Sequence, residues 1–105
     1  MSLTLRKTMY TATMNYRFKT QDFDKACKLW ENHVLSAAKT QAGFVRMQFL
    51  TNSPQAMAIG TWKAKADAEA FMKTGVFVRL MAELEAYCDG KPTPQTWELK
   101  YFTEA

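Results

Sequence analysis

Period-two alternation dominates the first third of the chain. From Thr8 to Phe18, Tyr10, Ala12, Met14, Tyr16 and Phe18 fall on one side, and Thr11, Thr13, Asn15 and Arg17 fall on the other. Alternation of that length, rich in threonine and aromatic residues, predicts a β-strand. The period then changes. Phe23, Cys27, Trp30, Val34, Ala37 and Gln41 recur at helical spacing, opposite Asp24, Lys25, Lys28, Glu31, Asn32 and Lys39. This predicts an amphipathic helix from Asp22 to Gln41. Asp22 or Thr20 is expected to cap its start, and Gly43 its end.

The stretch from Gly43 to Leu84 carries the densest pattern. Phe44 to Leu50 and Ala56 to Trp62 read as strands, and Thr51-Asn52-Ser53-Pro54-Gln55 is turn chemistry between them, so the pair is expected to form an antiparallel hairpin. With Phe44 opposite Trp62, Arg46 faces Gly60 and Gln48 faces Ala58 on one side. Val45, Met47 and Phe49 then meet Thr61, Ile59 and Met57 on the other. Lys65 to Lys73 predicts a short helix with Phe71 inward. Thr74-Gly75 interrupts it, with Thr74 as cap of a second piece carrying Phe77, Leu80, Met81, Leu84 and Cys88. Gly90, Pro92 and Pro94 end that piece. Gln95 to Phe102 is the last expected strand, with Trp97, Leu99 and Tyr101 on one face.

The order β-α-β-β-α-β predicts an α+β, ferredoxin-like domain, with two helices on one face of a four-stranded antiparallel sheet. Large apolar residues occur on both faces of several strands, whereas a sheet open to water should present one polar face. A second copy is the economical cover, giving a homodimer through the sheet face. A monomer with an unusually apolar sheet is the alternative.

Composition adds limits. A chain of 105 residues is one domain, spanning 1–105, and it buries about two thirds of its unfolded surface. Hydrophobic residues make up 48%, enough for a packed core rather than disorder. The net charge of +4 is spread over scattered lysines with no long basic run, so a solvated surface is expected and no nucleic-acid partner. The N-terminal MSLTLRKT lacks the apolar run of a signal peptide. No apolar stretch approaches the ~20 residues of a membrane span. The expectation is a cytoplasmic protein with no membrane partner. Cys27 and Cys88 sit outside any CxxC spacing, on apolar helical positions, and read as two buried thiols. A single histidine excludes a His-rich metal site. No HExxH, G-x-S-x-G, P-loop or dinucleotide fingerprint occurs, and neither a metal nor a cofactor is expected.

The run GFVRMQFL, a hairpin, and then AIGTW-KAKADAEAFMKTGVFVRL resembles the dimeric α/β-barrel proteins related to antibiotic biosynthesis monooxygenases. That family typically has a GF-initiated strand, a strand ending in Trp, an Ala/Phe helix and a small-x-x-Phe restart. The resemblance spans Met9 to Tyr101. It implies a dimeric barrel, and it leaves open cofactor-free oxygenation, haem degradation and members without an assigned reaction. The haem-degrading branch has an Asn on its first strand, a Trp near the start of the second helix and a His as iron ligand. Asn15 matches the first, but Phe71 and Met81 stand at the other two positions, so that reading is demoted.

Asn15 is an amide in mid-strand, where Asn is disfavoured, and it shares a face with Thr11, Thr13 and Arg17. It either orients a bound substrate, steadying an enolate or polarised carbonyl, or belongs to an exposed polar stripe. Trp62 either lines a pocket for a flat substrate or packs structurally. Ala58 and Gly60 on its face leave room for either. His33 is either a pocket group or a boundary histidine bonded to water or a carbonyl. Arg17 and Arg46 either hold a substrate carboxylate or phenolate, or pair with Glu98. The first functional expectation is a cofactor-independent monooxygenase-like enzyme acting on a small aromatic or polyketide-like substrate. Asn15 would be catalytic, in a pocket between sheet and helices walled by Trp62, Phe71, Phe77, Met81 and His33. The second is a non-catalytic small-ligand-binding or interaction module on the same fold.

Overall fold

The computed structural model describes residues 9–105. The chain runs β1 (Met9–Arg17), α1 (Phe23–Lys39), β2 (Phe44–Asn52), β3 (Gln55–Trp62), α2 (Lys65–Met72), α3 (Gly75–Leu84) and β4 (Thr93–Leu99). One 3-10 turn, Thr20–Asp22, leads into α1, and another, Glu85–Tyr87, leads out of α3. Thr8, expected to open the first strand, lies outside the described residues. The strands form one antiparallel sheet in the order β2-β3-β1-β4. The α+β, ferredoxin-like expectation therefore holds.

The alternation of β1 decides which face the helices take. Met14, Tyr16 and Phe18 are buried, while Arg17 between them is exposed. α1 answers with Ala26, Trp30, Val34 and Ala38, four apart and all buried. α2 adds Ala68 and Phe71, and α3 adds Leu80 and Leu84, which are fully enclosed. Burying a leucine of this kind stabilises the fold by about 2 kcal/mol. Thr74 caps α3 as expected: its side chain accepts the Phe77 N–H at 3.3 Å.

Several expectations need correction. The hairpin register shifts by one residue between Phe44 and Arg46. Phe44 still pairs with Trp62, but Arg46 pairs with Thr61, Met47 with Gly60 and Phe49 with Ala58. A bulge at Val45 adds one unpaired residue, and every side chain beyond it changes face. Met47 and Phe49 therefore turn toward the helices, and Arg46, Gln48 and Leu50 turn away. The helix-free face is more polar than the sequence pattern predicted. The turn shrinks to Ser53-Pro54, because Thr51, Asn52 and Gln55 stay in the ladder.

β4 begins two residues earlier than expected and stops at Leu99, so Pro94 lies inside a strand rather than ending a helix. Proline lacks a ladder donor and is tolerated there because β4 is an edge strand. Cys88 lies beyond α3, bridged to Phe18. The α1 N-terminus carries no side-chain cap from Asp22, since the preceding 3-10 turn leads directly into the helix. Its C-cap is Thr40. Gly43 instead closes the turn into β2 with φ 77°, a left-handed conformation that glycine adopts without penalty.

Candidate functional site

The six residues expected at the site fall in three places. Trp62, at the end of β3, is 1% exposed. Its ring lies 5.4 Å from Phe44 and 5.2 Å from Phe71, and Phe71 lies 5.7 Å from Phe77. This aromatic train fills the interior between the sheet and α2–α3. The room expected above Gly60 is taken as well. A Cβ built there would meet Trp62 Nε1 at 3.0 Å and Met47 Cε at 3.1 Å. The bulge at Val45 is what brings Met47 to that side.

Met81 joins the same interior, where its Sδ accepts a hydrogen bond from the Tyr16 hydroxyl at 3.7 Å. Burial pushes the Tyr16 phenol well above its ordinary value near 10, with Cys88 adding to the rise and the Trp30 indole opposing it. Phe71 carries no ligating atom and the Met81 sulfur is engaged by Tyr16. The residues present do not fit the haem-degrading arrangement.

His33 lies elsewhere. Its Nδ1 donates to the Leu29 carbonyl one turn back, at 3.0 Å, and its Nε2 is 3.7 Å from a Glu83 carboxylate oxygen. It links α1 to α3 at the surface and lines neither groove described below.

Asn15 stands on the opposite side of the sheet from Trp62, Phe71, Phe77 and Met81. It shares the helix-free face with Thr11, Thr13 and Arg17 of β1, as alternation requires. β3 contributes Met57 and Ile59, which pair with Asn15 and Thr13, and β4 contributes Gln95 and Trp97, which pair with Thr13 and Thr11. Trp97 Nε1 donates to Thr13 Oγ1 at 2.9 Å, and the hydroxyls of Thr11 and Thr61 are 3.4 Å apart. Two open grooves mark this face. One, of about 490 Å³, lies where β1 ends and β3 begins, past Asn15, Arg17, Leu50, Met57, Lys91 and Thr93, with Tyr16 and Ala56 also in its wall. The other, of about 390 Å³, runs from Asn15 along Ile59 to Trp97. Asn15 belongs to the walls of both.

The two arginines behave differently from each other. Arg46 pairs with Glu104. This side-chain pair ties the segment after β4 to β2. Glu98 is not the partner of either arginine. It pairs with Tyr10 and so projects to the helix side. Arg17 has no carboxylate partner among the described residues. Lys91 and Thr93 were not singled out from sequence. They reach the groove because the segment after α3 returns alongside the end of β1, where the Asp89 N–H donates to the Arg17 carbonyl at 2.6 Å.

Among the described residues there is no cluster of three or more His, Cys, Asp or Glu side chains able to hold a metal ion. No helix among them is long and apolar enough to cross a membrane. Cys27 and Cys88, expected to be buried, are half-buried; partial burial is the first cause raising the pKa of both thiols, with Asp24 adding to it at Cys27 and Glu85 at Cys88, while Lys19 opposes it at Cys88.

No protein-family model and no curated protein matches the chain. Solved structures do match. A candidate antibiotic biosynthesis monooxygenase from Nitrosomonas europaea superposes with TM-score 0.82 at 14% identity, covering 97% of this chain and 100% of its own. The chain takes the antibiotic biosynthesis monooxygenase fold. A protein of unknown function from the same organism superposes with TM-score 0.80 at 16% identity, covering 95% of this chain and 98% of its own. Another candidate monooxygenase, from Caulobacter crescentus, gives 0.80 at 9% identity over 91% of this chain and 93% of its own. The shared fold extends across nearly the whole chain, and identities this low speak for the fold alone.

Proposed function

We propose that this protein binds a small organic molecule on the helix-free face of its sheet, as a homodimer. The supporting observation is the groove of about 490 Å³ with Asn15 in its wall, a volume in the range of small-molecule sites. Trp62, Phe71, Leu80 and Leu84 are buried in the interior between the sheet and α2–α3, and the groove of about 460 Å³ between α1 and β2 does not include Asn15. The dimer rests on the centre of the same face. Ile59 and the half-exposed Trp97 lie there among uncharged threonines, while Arg17, Arg46 and Lys91 stand at the rim. A self-complementary apolar centre with charges outside it suits a second copy of this chain.

An amide-proton NMR titration with small aromatic compounds tests the binding reading. Shifts confined to Asn15, Leu50, Met57 and Thr93, weakened by Asn15→Ala, are expected. Shifts centred on Trp62 and Phe71 would move the site to the interior and overturn it. Light scattering across concentration tests the dimer, and Ile59→Lys is expected to give a monomer.

A second reading is favoured by the fold neighbours that carry a monooxygenase name. Asn15 then orients a small aromatic or polyketide-like substrate, its amide N–H donating to an enolate or phenolate oxygen. The substrate supplies the electrons: a CH2 becomes C=O while O2 delivers one atom to the product and the other to water. Oxygen uptake with polycyclic hydroxyaromatic substrates tests it. Uptake that is unchanged in Asn15→Ala removes the residue from the reaction.

A further inference from the structure

We infer that the groove beside Asn15 selects an organic carboxylate, with Arg17 and Lys91 reading the charge and Leu50 and Met57 carrying an apolar body. The inference rests on the binding reading above and adds the ligand's chemical class. Its basis is the composition of the groove wall. Arg17 and Lys91 are the two charged residues that line it, both exposed and both positive, and no aspartate or glutamate does. The ion pairs among the described residues are Lys28–Glu31, His33–Glu83 and Arg46–Glu104, so neither groove cation has a carboxylate partner among those residues. Asp89 reaches Arg17 through its backbone N–H alone, bound to the Arg17 carbonyl, with no carboxylate–guanidinium pair.

Two like charges at one end of a concave surface repel each other and raise the local concentration of anions. The arginine offers the planar fork that matches a carboxylate in bidentate fashion, and the lysine a mobile point charge. The neutral wall completes the recognition. Asn15 and Thr93, paired across β1 and β4, supply further donors beside the charges. Leu50 is 49% exposed, an apolar floor that a purely polar anion such as phosphate would leave uncovered. The ligand class is therefore an acid with a ring or short alkyl body, not an inorganic anion.

The experiment compares 2-naphthoate with 2-naphthamide, which share a shape and differ in charge, by amide-proton NMR titration of the full chain. 2-Naphthoate is expected to shift Leu50, Met57 and Thr93, with at least tenfold tighter binding than the amide at 25 mM salt. The preference should shrink at 300 mM salt, because the cations are exposed and screened. Arg17→Gln with Lys91→Gln should abolish the preference, lowering 2-naphthoate to the affinity of the amide. Both positions are exposed, and an unchanged backdrop of peaks confirms that the variant is folded. Equal binding of the two probes overturns the charge selection while leaving the binding reading standing. Absence of binding by both overturns the two together. A preference that persists in the double variant removes Arg17 and Lys91 from the recognition. Inorganic phosphate producing the same shifts at equal affinity overturns the requirement for an apolar body.

Discussion

Two glycines in this chain should respond to the same substitution with opposite signs. Gly43 has φ 77°, and a Cβ built on it would run into the Asp67 carboxylate in the first turn of α2. Alanine in a left-handed conformation costs about 1–2 kcal/mol. Displacing a flexible carboxylate into a poorer rotamer adds roughly 0.5–1 kcal/mol. Gly43→Ala is therefore expected to destabilise by about 2 kcal/mol. With an unfolding entropy of about 2.1 cal/mol/K per residue over a chain this long, that corresponds to a fall in Tm of about 9 °C. Gly75, the first residue of α3, has no atom within 4 Å of its built Cβ and no positive φ. Gly75→Ala should stabilise by about 0.4–1 kcal/mol through the unfolded state. Urea unfolding of both variants gives the comparison. Asp67→Ala, alone and combined with Gly43→Ala, separates the steric share from the backbone share in a double-mutant cycle. A Gly43→Ala variant within 0.5 kcal/mol of the parent, or two variants that shift in the same direction, would refute the reasoning.

Phe71→Ala removes a buried ring lying between Trp62 and Phe77 and should cost about 3–5 kcal/mol in urea unfolding; a cost below 1 kcal/mol would mean that the interior is not filled as described. Tyr16 should make the protein sensitive to alkali. Its folded pKa is raised, so its contribution is fully present below the unfolded value near 10 and is lost as pH rises beyond it. Tyr16→Phe should flatten the stability profile above pH ~10 relative to the parent, and parallel profiles for the two proteins would contradict this. Cys27 and Cys88 should react with a disulfide reagent at pH 7.5 several-fold more slowly than free cysteine, because burial raises both thiols; reaction at the free rate would contradict the packing at those positions.

Element types were legible because each rests on local periodicity. The buried row on α1 and the alternation of β1 are written at fixed spacing and need no tertiary information. Two errors came from single residues whose effect depends on neighbours far away in the chain. Val45 bulges out of β2, and a bulge inverts every later position while leaving the composition of the strand unchanged. Pro94 looks like a helix terminator, yet it is at home in β4, because the sheet order puts that strand at an edge.

The candidate site divided along the same line. Asn15 was legible as an unusual mid-strand amide, and the aromatic residues were legible as a cluster. Strand alternation already sends the Asn15 and Tyr16 side chains to opposite sides of the sheet, so the amide does not point into the aromatic train. Once Met14, Tyr16 and Phe18 meet α1 and Trp62 meets Phe71, the sheet itself lies between Asn15 and the aromatic train. Chemistry built on Asn15 must take place on the side that the helices leave open. What could not be read from sequence is who stands beside it there. Arg17 and Lys91 are more than seventy positions apart. They line one groove because the segment after α3 returns to the end of β1, a closure made by backbone bonds from Asp89 to Arg17 and from Lys19 to Tyr87. Backbone bonds carry no side-chain signature, which is why a lysine that looked like one of a scattered set becomes one of the two charged residues that, among the described residues, line the groove wall.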